Sequence, residues 1–253
     1  MERKFIGIIP ARYASTRFPG KPLADLGGKP VIQHVYEHAS SVLDMVYVAT
    51  DDTRIEAAVH EFGGRVVMTS PEHFSGTDRC CEAYMRVGRG YNVVINIQGD
   101  EPFVQPEHIE TLKACFTDPN VQIATLVKPL RSDDDFATTL AAYNTPKVVI
   151  NRNREAMYFS RSIIPYFRGK PHTEWLTNHT YYKHIGMYAY RGDVLGEITL
   201  LPQSPLEIAE SLEQLRWLEN GYHIKVGFTE VETIGIDTPE DLERARKRLG
   251  YTY

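Results

Sequence analysis

The residues at positions 10–23, PARYASTRFPGKPL, combine basic side chains with small hydroxyls in a pattern suited to binding a triphosphate. Arg12, Arg17 and Lys21 supply the positive charge. The segment follows the apolar run FIGII at residues 5–9, which predicts a buried parallel strand. The next helical pattern begins some twenty residues later, so the connection is longer than most, and long loops are commonly functional. We therefore predict a phosphate-binding loop at the end of the first strand.

The wider loop, residues 10–29, is distinguished by its charge and by the glycine motifs that it lacks. Its net charge is +3, in a chain whose total is −5. Neither G-x-G-x-x-G nor G-x-x-x-x-G-K-[ST] can be placed on it, because Gly20 is followed by Lys21 and Pro22. A nicotinamide cofactor and an ordinary P-loop NTPase are therefore disfavoured. The alternative interpretation is a basic surface loop whose charges are solvated.

Two aspartates follow other predicted strands. Asp100 comes after the apolar run VVINI, and Asp237 comes after ETIGI. Ligands of open α/β sheets bind beyond the carboxyl ends of the strands, and Gly99 permits close approach of another group. Thr238 and Asp241 resemble a helix capping box, which leaves Asp237 unexplained. Each aspartate alone is typical of a turn, but together with a phosphate loop they predict Mg²⁺ held by carboxylates and substrate phosphates.

The pattern of apolar residues predicts the elements that position these side chains. Strand-like and helix-like segments alternate through the first half, which indicates an α/β fold with a mostly parallel, Rossmann-like nucleotide-binding sheet and helices on both faces. Shorter strands at 145–190 indicate a smaller inserted antiparallel lobe, which we expect to serve dimerisation. We predict a single domain, 1–253, with a core at 1–130 and 223–253 and a lobe at about 145–220.

One helix of that lobe has an unusual distribution of apolar residues. Ser204 with Glu207 three positions later predicts a capping box for a helix over residues 205–219. Helical spacing assigns Ile208 and its neighbours to the core face and Trp217 to the far side. We expect a partner subunit or a lobe folded over a site to cover that far side.

Composition excludes several classes of protein. The chain has 253 residues, 42% of them hydrophobic, which is enough for one large α/β core. A mildly acidic chain is a poor candidate for binding nucleic acid nonspecifically. Three cysteines without C-x-x-C spacing favour reduced thiols over a disulfide framework or a zinc site. The first residues lead into a strand without an apolar targeting segment, and no stretch is long enough to span a bilayer, so we expect a cytoplasmic protein without membrane insertion.

Eight segments, in chain order, resemble the 3-deoxy-manno-octulosonate (Kdo) cytidylyltransferase family, also called CMP-Kdo synthetases. The segments are PARYASTRFPGKPL, VATDD, SGTDR, NIQGDEP, YFSRSIIP, KHIGMYAY, LEQLRWLENG and GIDTPEDLERA. These segments extend over nearly the whole chain. Because all eight occur in the same order as in the family, the resemblance is far more specific than a match to any one segment.

The resemblance implies a cytoplasmic, Mg²⁺-dependent homodimer that joins CTP and Kdo, giving CMP-Kdo for lipopolysaccharide and pyrophosphate. It implies that the CTP phosphates contact Arg12, Ser15 and Lys21, and that the cytidine lies near Ala11, Ser75, Gly76 and Thr77. Asp100 and Asp237 would hold the metal and, with Arg12 and Lys21, form the catalytic set. The sugar would be bound by Arg79, Gln98, Arg161, His184, Tyr188, Glu213 and Gln214.

The chemistry of Kdo agrees with that set, because a carboxylate needs a cation such as Arg161 and many hydroxyls need fixed donors and acceptors. Taken alone, Arg161 is equally compatible with a surface ion pair, and His184 and Tyr188, four residues apart on one face of a strand, with ordinary packing. The family pattern fits less well at residues 69–75, so we assign no contact with the base to Ser70 or Phe74.

The implied reaction is an in-line displacement. The C2 hydroxyl of the sugar attacks the α-phosphorus of CTP, pyrophosphate departs, and Arg12 and Lys21 stabilise the phosphate oxygens. No side chain is an obvious general base, and a metal that lowers the pKa of the sugar hydroxyl makes one unnecessary. Three alternatives to this reaction remain. The enzyme could act on a related acidic sugar such as 8-amino Kdo or sialic acid, or the protein could bind CTP without consuming it. It could also be a glycosyltransferase that uses a nucleotide sugar, although the D-x-D motif typical of such enzymes is absent because position 98 is Gln.

Overall fold

A computed structural model gives the fold of this chain and describes residues 3–131 and 136–250. It forms two compact units. The first unit comprises residues 1–110, 189–199 and 233–253, and the second comprises residues 111–188 and 200–232. These boundaries differ from the predicted core and lobe, since the strands near residues 125 and 226 pair with each other and fall in the second unit.

Eleven strands and nine α-helices are present in the described residues. The strands are β1 (Phe5–Ala11), β2 (Asp25–Leu26), β3 (Lys29–Pro30), β4 (Val46–Thr50), β5 (Val66–Met68), β6 (Val93–Asn96), β7 (Ile123–Pro129), β8 (Lys147–Ile150), β9 (Ala156–Ser160), β10 (Tyr182–Arg191) and β11 (Ile224–Phe228). The helices are α1 (Val31–Ser40), α2 (Thr53–Glu61), α3 (Gly76–Val87), α4 (Pro106–Cys115), α5 (Trp175–Asn178), α6 (Gly192–Ile198), α7 (Pro205–Glu210), α8 (Gln214–Glu219) and α9 (Pro239–Arg248).

The first unit is built on four neighbouring parallel strands in the order β6, β1, β4, β5. The central strands are largely buried, as the apolar runs in the sequence predict: Ile6, Ile8 and Ile9 in β1 have no exposed surface. The loop after β1 contains a small antiparallel pair, β2 and β3, which the sequence analysis did not predict. Parallel order brings the ends of β1 and β6 to the same edge, where the predicted phosphate loop and Asp100 begin.

The second unit contains both parallel and antiparallel pairs. β11 pairs with β7 in parallel, and β8 lies between β9 and β10 in antiparallel pairing. The predicted α/β class, mostly parallel with a smaller antiparallel part, is therefore confirmed. No helix in the described ranges has the length and apolar character needed to cross a bilayer. The three cysteines are free thiols, two buried and one partly buried.

The prediction of one continuous helix over residues 205–219 is wrong. The helix stops at Glu210, and Ser211 adopts a left-handed conformation with φ of 50° before α8 begins. The break reorients the second half, so Trp217 is buried whereas Ile208 is 64% exposed. The predicted capping box of Ser204 with Glu207 is present. Local periodicity identified the helical residues, but it could not reveal the change of direction.

Candidate active site

The loop after β1 is a closed turn that ends at a basic residue. The Gly20 amide donates a hydrogen bond to the Tyr13 carbonyl at 2.8 Å, and the Ser15 hydroxyl accepts one from the Phe18 amide at 3.3 Å. Gly20 has φ of +74°, and a Cβ there would lie 2.9 Å from the Tyr13 ring. The glycine is therefore required by the turn that presents Lys21.

Lys21 joins the two predicted metal ligands. Its ammonium group forms a short ion pair with Asp100 and a second ion pair, at 3.1 Å, with Asp237. Arg17 also reaches Asp237, at 3.1 Å. Two carboxylates far apart in the sequence thus converge on one cation, next to the loop predicted to bind phosphate.

Backbone contacts explain why the two aspartates meet. The Ile236 amide donates to the Asp100 carbonyl at 2.8 Å, which ties the loop after β6 to the segment before α9. A Cβ on Gly99 would lie 2.8 Å from the Pro10 carbonyl oxygen, so only glycine allows β1 and this loop to approach so closely. The prediction that Gly99 permits the close approach of another group is therefore confirmed.

The capping of α9 leaves the side chain of Asp237 free for this cluster. Thr238 and Asp241 form a reciprocal capping box, and the Asp241 carboxylate also accepts from the backbone N–H of Asp237 at 3.0 Å. The carboxylate of Asp237 takes no part in the cap. The sequence argument that capping does not account for Asp237 is therefore correct.

The electrostatics of Lys21 favour a permanent positive charge. Burial alone would lower its pKa, but the charges and hydrogen bonds of Asp100 and Asp237 outweigh burial and raise the pKa above its ordinary value. Lys21 is therefore an ammonium group throughout the physiological pH range.

A cavity of about 210 Å³ lies beside this ion cluster in the first unit. Its lining includes most of the predicted nucleotide residues and both predicted sugar residues of this unit. These are Ala11, Arg12, Lys21, Ser75, Gly76, Arg79 and Gln98, and the predicted metal ligand Asp100 also lines the cavity. Ser15 and Thr77 are absent from the lining, Ser15 because its hydroxyl closes the turn and Thr77 because it is buried in α3.

The positions of Arg12 and Arg79 differ in what surrounds them. Arg12 is exposed, and no described residue pairs with its guanidinium. Arg79 is 4% exposed and its guanidinium is held by Asp51 at 3.3 Å and by the Thr69 hydroxyl at 2.6 Å. Arg12 is thus available to an anion, whereas Arg79 is already oriented by protein partners.

The lining also contains two large side chains that are not among the predicted site residues, His73 and Phe74. His73 contacts the carboxylate of Glu82, which also accepts from the Ser70 amide at 2.8 Å. Burial favours a raised pKa for Glu82, but these hydrogen bonds and the charge of Arg86 lower it overall. Phe74 is 98% exposed. The sequence did not single out His73, and no contact with the base was assigned to Phe74, so only the cavity shows that both border the site.

The cytidine turn predicted at residues 75–77 is the first turn of α3. Ser75 is the N-cap, and its hydroxyl accepts from the Asp78 amide at 3.1 Å while the Asp78 carboxylate accepts from the Ser75 amide at 3.1 Å. The capping box fixes the direction of α3, whose first turn borders the cavity.

In the second unit, Arg161 is surrounded by carbonyl oxygens. Its guanidinium donates to the carbonyls of Glu210 at 2.7 Å, Tyr143 at 3.0 Å and Ser211 at 3.2 Å. Within the described ranges it forms no ion pair, so the surface ion pair considered above is not found there. Three of its five N–H donors are used, which leaves two for an anionic ligand.

His184 and Tyr188 share one face of β10, as predicted, and are buried. Their ring centroids are 5.5 Å apart, and Tyr188 packs edge-on against Trp217 at 5.1 Å. The His184 Nε2 atom lies 3.0 Å from the Thr125 hydroxyl. Burial lowers the pKa of His184 to about 3 and raises that of Tyr188, so both are neutral at pH 7. They can therefore bind hydroxyl groups but not balance a charge.

The remaining predicted sugar residues, Glu213 and Gln214, lie at the start of α8. Glu213 accepts from the Arg216 guanidinium at 2.9 Å, and Gln214 is 5% exposed. Arg216 also lies 3.2 Å from the Glu207 carboxylate. The break at Ser211 places these side chains, because it sets the direction of α8.

The donor set at Asp100 and Asp237 fits a divalent cation of the hard type. Both carboxylates already face one positive charge, that of Lys21. Across residues 3–131 and 136–250, no group of three or more His, Cys, Asp or Glu side chains is placed to hold a metal. Two carboxylates with substrate oxygens completing the coordination is the arrangement that Mg²⁺ adopts with phosphate ligands.

Comparison with known proteins points to one family. A family model described as cytidylyltransferase matches residues 6–233. A 3-deoxy-manno-octulosonate cytidylyltransferase from Parabacteroides distasonis is 74% identical over 96% of both chains. Proteins of the same name from Bacteroides thetaiotaomicron and Geobacter sulfurreducens are 67% and 47% identical; they align with 97% and 96% of this chain and with 98% of their own lengths.

Solved structures that resemble this chain include a protein of the same activity. A CMP:2-keto-3-deoxy-manno-octonic acid synthetase complexed with CTP superposes with a TM-score of 0.88 at 45% identity, covering 98% of each chain. A cytidylyltransferase from Leptospira borgpetersenii superposes with a TM-score of 0.63 at 16% identity, over 100% of this chain and 89% of that one. The second similarity indicates a shared fold alone.

Proposed function

This chain belongs to the 3-deoxy-manno-octulosonate cytidylyltransferase family, and on that premise we propose that it joins CTP and Kdo into CMP-Kdo with release of pyrophosphate. The observation that carries the proposal is the cluster of Lys21, Asp100 and Asp237 beside the cavity that Arg12 lines. Cations for a polyphosphate and carboxylates for a divalent metal meet there, as nucleotidyl transfer requires.

The proposed reaction is an in-line displacement at the α-phosphorus of CTP. The C2 hydroxyl oxygen of the sugar forms the new P–O bond, the bond to the bridging oxygen of pyrophosphate breaks, and the hydroxyl proton passes to solvent. Arg12, unpaired by any described residue, stabilises the charge on the phosphate oxygens together with Lys21. Lys21 must exchange an aspartate contact for a phosphate oxygen when CTP binds.

We assign the metal ligands to Asp100 and Asp237, with Mg²⁺ as the ion. When bound, the metal neutralises phosphate charge and favours ionisation of the attacking hydroxyl. Asp237 is accessible for this purpose, with 47% of its side chain exposed, and the capping box of α9 holds its backbone in place.

For the acidic sugar we propose the ligands inferred from the sequence. Arg161 has two N–H donors left for the carboxylate, and the neutral His184 and Tyr188 suit hydroxyl groups. The remaining proposed sugar ligands are Arg79, Gln98, Glu213 and Gln214. For the nucleotide we propose Ala11, Arg12, Ser15, Lys21, Ser75, Gly76 and Thr77, with Ser15 acting through the turn that it closes.

We further propose that the protein is a cytoplasmic homodimer serving lipopolysaccharide synthesis, with the second unit supplying most of the proposed sugar ligands and the dimer contact. Among the described residues, most of the exposed large hydrophobic side chains belong to that unit. They include Tyr143, Met157, Tyr166, Leu200, Leu206 and Ile208. Exposed apolar residues in such number suit a protein interface.

The test is pyrophosphate release from CTP with Mg²⁺ and one sugar at a time. We expect release with Kdo, and none without sugar. Release only with 8-amino Kdo or sialic acid would replace Kdo by that sugar. Tight CTP binding without pyrophosphate from any sugar would favour a nucleotide-binding protein, and turnover of a nucleotide sugar instead of CTP would favour a glycosyltransferase.

A further inference from the structure

Lys147, the first residue of β8, has a fully buried side chain that the proposed reaction does not use. Its ammonium group donates to three backbone carbonyls: Ala142 at 3.0 Å, Thr145 at 2.6 Å and Arg161 at 2.6 Å. No carboxylate in the described ranges pairs with it. A buried ammonium group is costly unless its donors are satisfied, and here all three are used.

The three carbonyls belong to the two segments that hold Arg161. Ala142 and Thr145 bracket Tyr143, whose carbonyl accepts from the Arg161 guanidinium at 3.0 Å. The third carbonyl is that of Arg161 itself. One ammonium group therefore fixes both the residue that carries the guanidinium and the turn that binds it.

Glu210 completes the frame around Arg161. Its carboxylate accepts from the Arg161 backbone N–H at 2.9 Å and from the Ser160 hydroxyl at 2.6 Å, while its carbonyl accepts from the guanidinium. The guanidinium is thus oriented by carbonyl oxygens and not neutralised by a described carboxylate. A cation held in this way keeps its full charge for an anionic ligand.

We propose that Lys147 is a positioning residue for Arg161, whose ammonium group holds the guanidinium in the orientation that binds the carboxylate of the sugar substrate. The inference rests on the proposed function, since it assigns a role within the sugar site of that reaction. Lys147 does not touch the substrate in this proposal. It acts through the 142–145 turn and the backbone of Arg161.

The charge state of Lys147 agrees with this role. Burial lowers the pKa of Lys147 to about 8, the charge of Glu210 opposes that change, and the charge of Arg161 adds to it. At neutral pH most molecules carry the ammonium form, whose hydrogen bonds to carbonyls are charge-assisted and stronger than neutral ones.

The experiment compares K147M, which removes every donor, with K147Q, which retains two, in steady-state pyrophosphate release. For K147M we expect the KM for Kdo to rise about tenfold or more while the KM for CTP stays unchanged, and for K147Q a smaller rise. The matched control is K225M, because Lys225 lies in the same unit and donates to one carbonyl, that of Asn153, in an exposed position. Its kinetics should equal those of the wild type.

A double variant separates positioning from general stability. In the R161A background, K147M should cause no further change in the KM for Kdo, because its effect passes through the absent guanidinium. An equal rise in both KM values, an effect that persists in R161A, or loss of folding in both Lys147 variants would overturn the inference. If wild-type protein releases no pyrophosphate with any sugar, the proposed function itself fails; if it does and the variants match it, only the role of Lys147 fails.

Discussion

At the scale of single residues, Lys21 is the link between the loop that we assign to phosphate and the carboxylates that we assign to metal. Its ammonium group contacts aspartates 79 and 216 positions away in the chain. In the proposed reaction, a bound metal would take over an aspartate contact that Lys21 makes here. The ion pairs therefore hold the site in order before the substrates arrive, which lowers the cost of assembling it.

Replacing Asp100 or Asp237 by Asn removes a proposed metal ligand and keeps the shape of the side chain. We expect turnover at saturating CTP to be abolished in both variants, since the lost carboxylate weakens metal binding and charge neutralisation. Circular dichroism should show an intact fold. The surface variant D193N, which breaks an exposed pair with Arg191 in the same unit, should retain full activity. Near-normal turnover of the Asn variant at Asp100 or at Asp237 would refute the assignment of that residue to the metal.

The buried His184 makes stability depend on pH. Its pKa is about 3 in the folded protein and about 6.5 when unfolded, so the unfolded chain binds the extra proton between these values. Protonation therefore favours unfolding, and stability falls as pH drops below 6.5, by about 2 kcal/mol at pH 5.

Urea unfolding of the wild type and of H184Q at pH 5 and pH 7 measures this effect. In H184Q, the part of the fall in stability between pH 7 and pH 5 that comes from protonation of His184 should be absent. The control H223Q removes a histidine whose side chain is 73% exposed and should behave like the wild type. Equal pH dependence of wild type and H184Q would contradict the role assigned to burial.

At the scale of elements, the break between α7 and α8 shapes the second unit. Ser211 ends α7 in a left-handed conformation, and its carbonyl accepts from Arg161 at 3.2 Å. The same break buries Trp217 against Tyr188. A straight helix would separate these contacts, so the backbone at Ser211 decides both the packing of the unit and the surroundings of Arg161.

Substitution at Ser211 tests the importance of that backbone conformation. A β-branched valine tolerates the left-handed region poorly, so S211V should lower the free energy of unfolding by about 1 kcal/mol or more. Glycine adopts the conformation freely, and S211G should be at least as stable as the wild type. Urea denaturation compares the three proteins. Equal stability of S211V and S211G would show that the turn is not strained.

At the scale of the whole molecule, the chain divides its assigned tasks between two compact units. The first contains the ion cluster and the cavity, and the second contains Arg161, His184 and Tyr188. The second unit also bears most of the exposed large hydrophobic residues among those described. Exposed apolar surface on that unit is the reason for assigning the dimer contact to it.

Analytical ultracentrifugation tests the proposed dimer. We expect the wild type to sediment with twice the mass of one chain, and I208D to shift toward the monomer, because Ile208 is 64% exposed and a buried aspartate at an interface is unfavourable. The control M85D introduces the same charge at a residue that is 74% exposed in the first unit and should remain dimeric. A monomeric wild type would refute the proposal.

The sequence by itself determined the α/β class, the order of most strands and helices, and the capping boxes at Ser204 and Thr238. Each of these follows from residues within a few positions of one another, where periodicity and capping chemistry are legible. The sequence also predicted that another group approaches Gly99 closely and that helix capping does not account for the carboxylate of Asp237. Both predictions were possible because the local structure around each residue does not explain its presence.

Only the tertiary structure decided the contacts between distant residues. The sequence brought the Lys21 loop, Asp100 and Asp237 to one site, but not the direct ion pairs between them. The break at Ser211 and the carbonyl frame around Lys147 and Arg161 were likewise not specified by any local pattern. Such contacts depend on which strand ends and loops the fold brings together, and each is the net result of burial, hydrogen bonding and charge across the whole unit. The residue types were readable in the chain, but their partners were set by the packing.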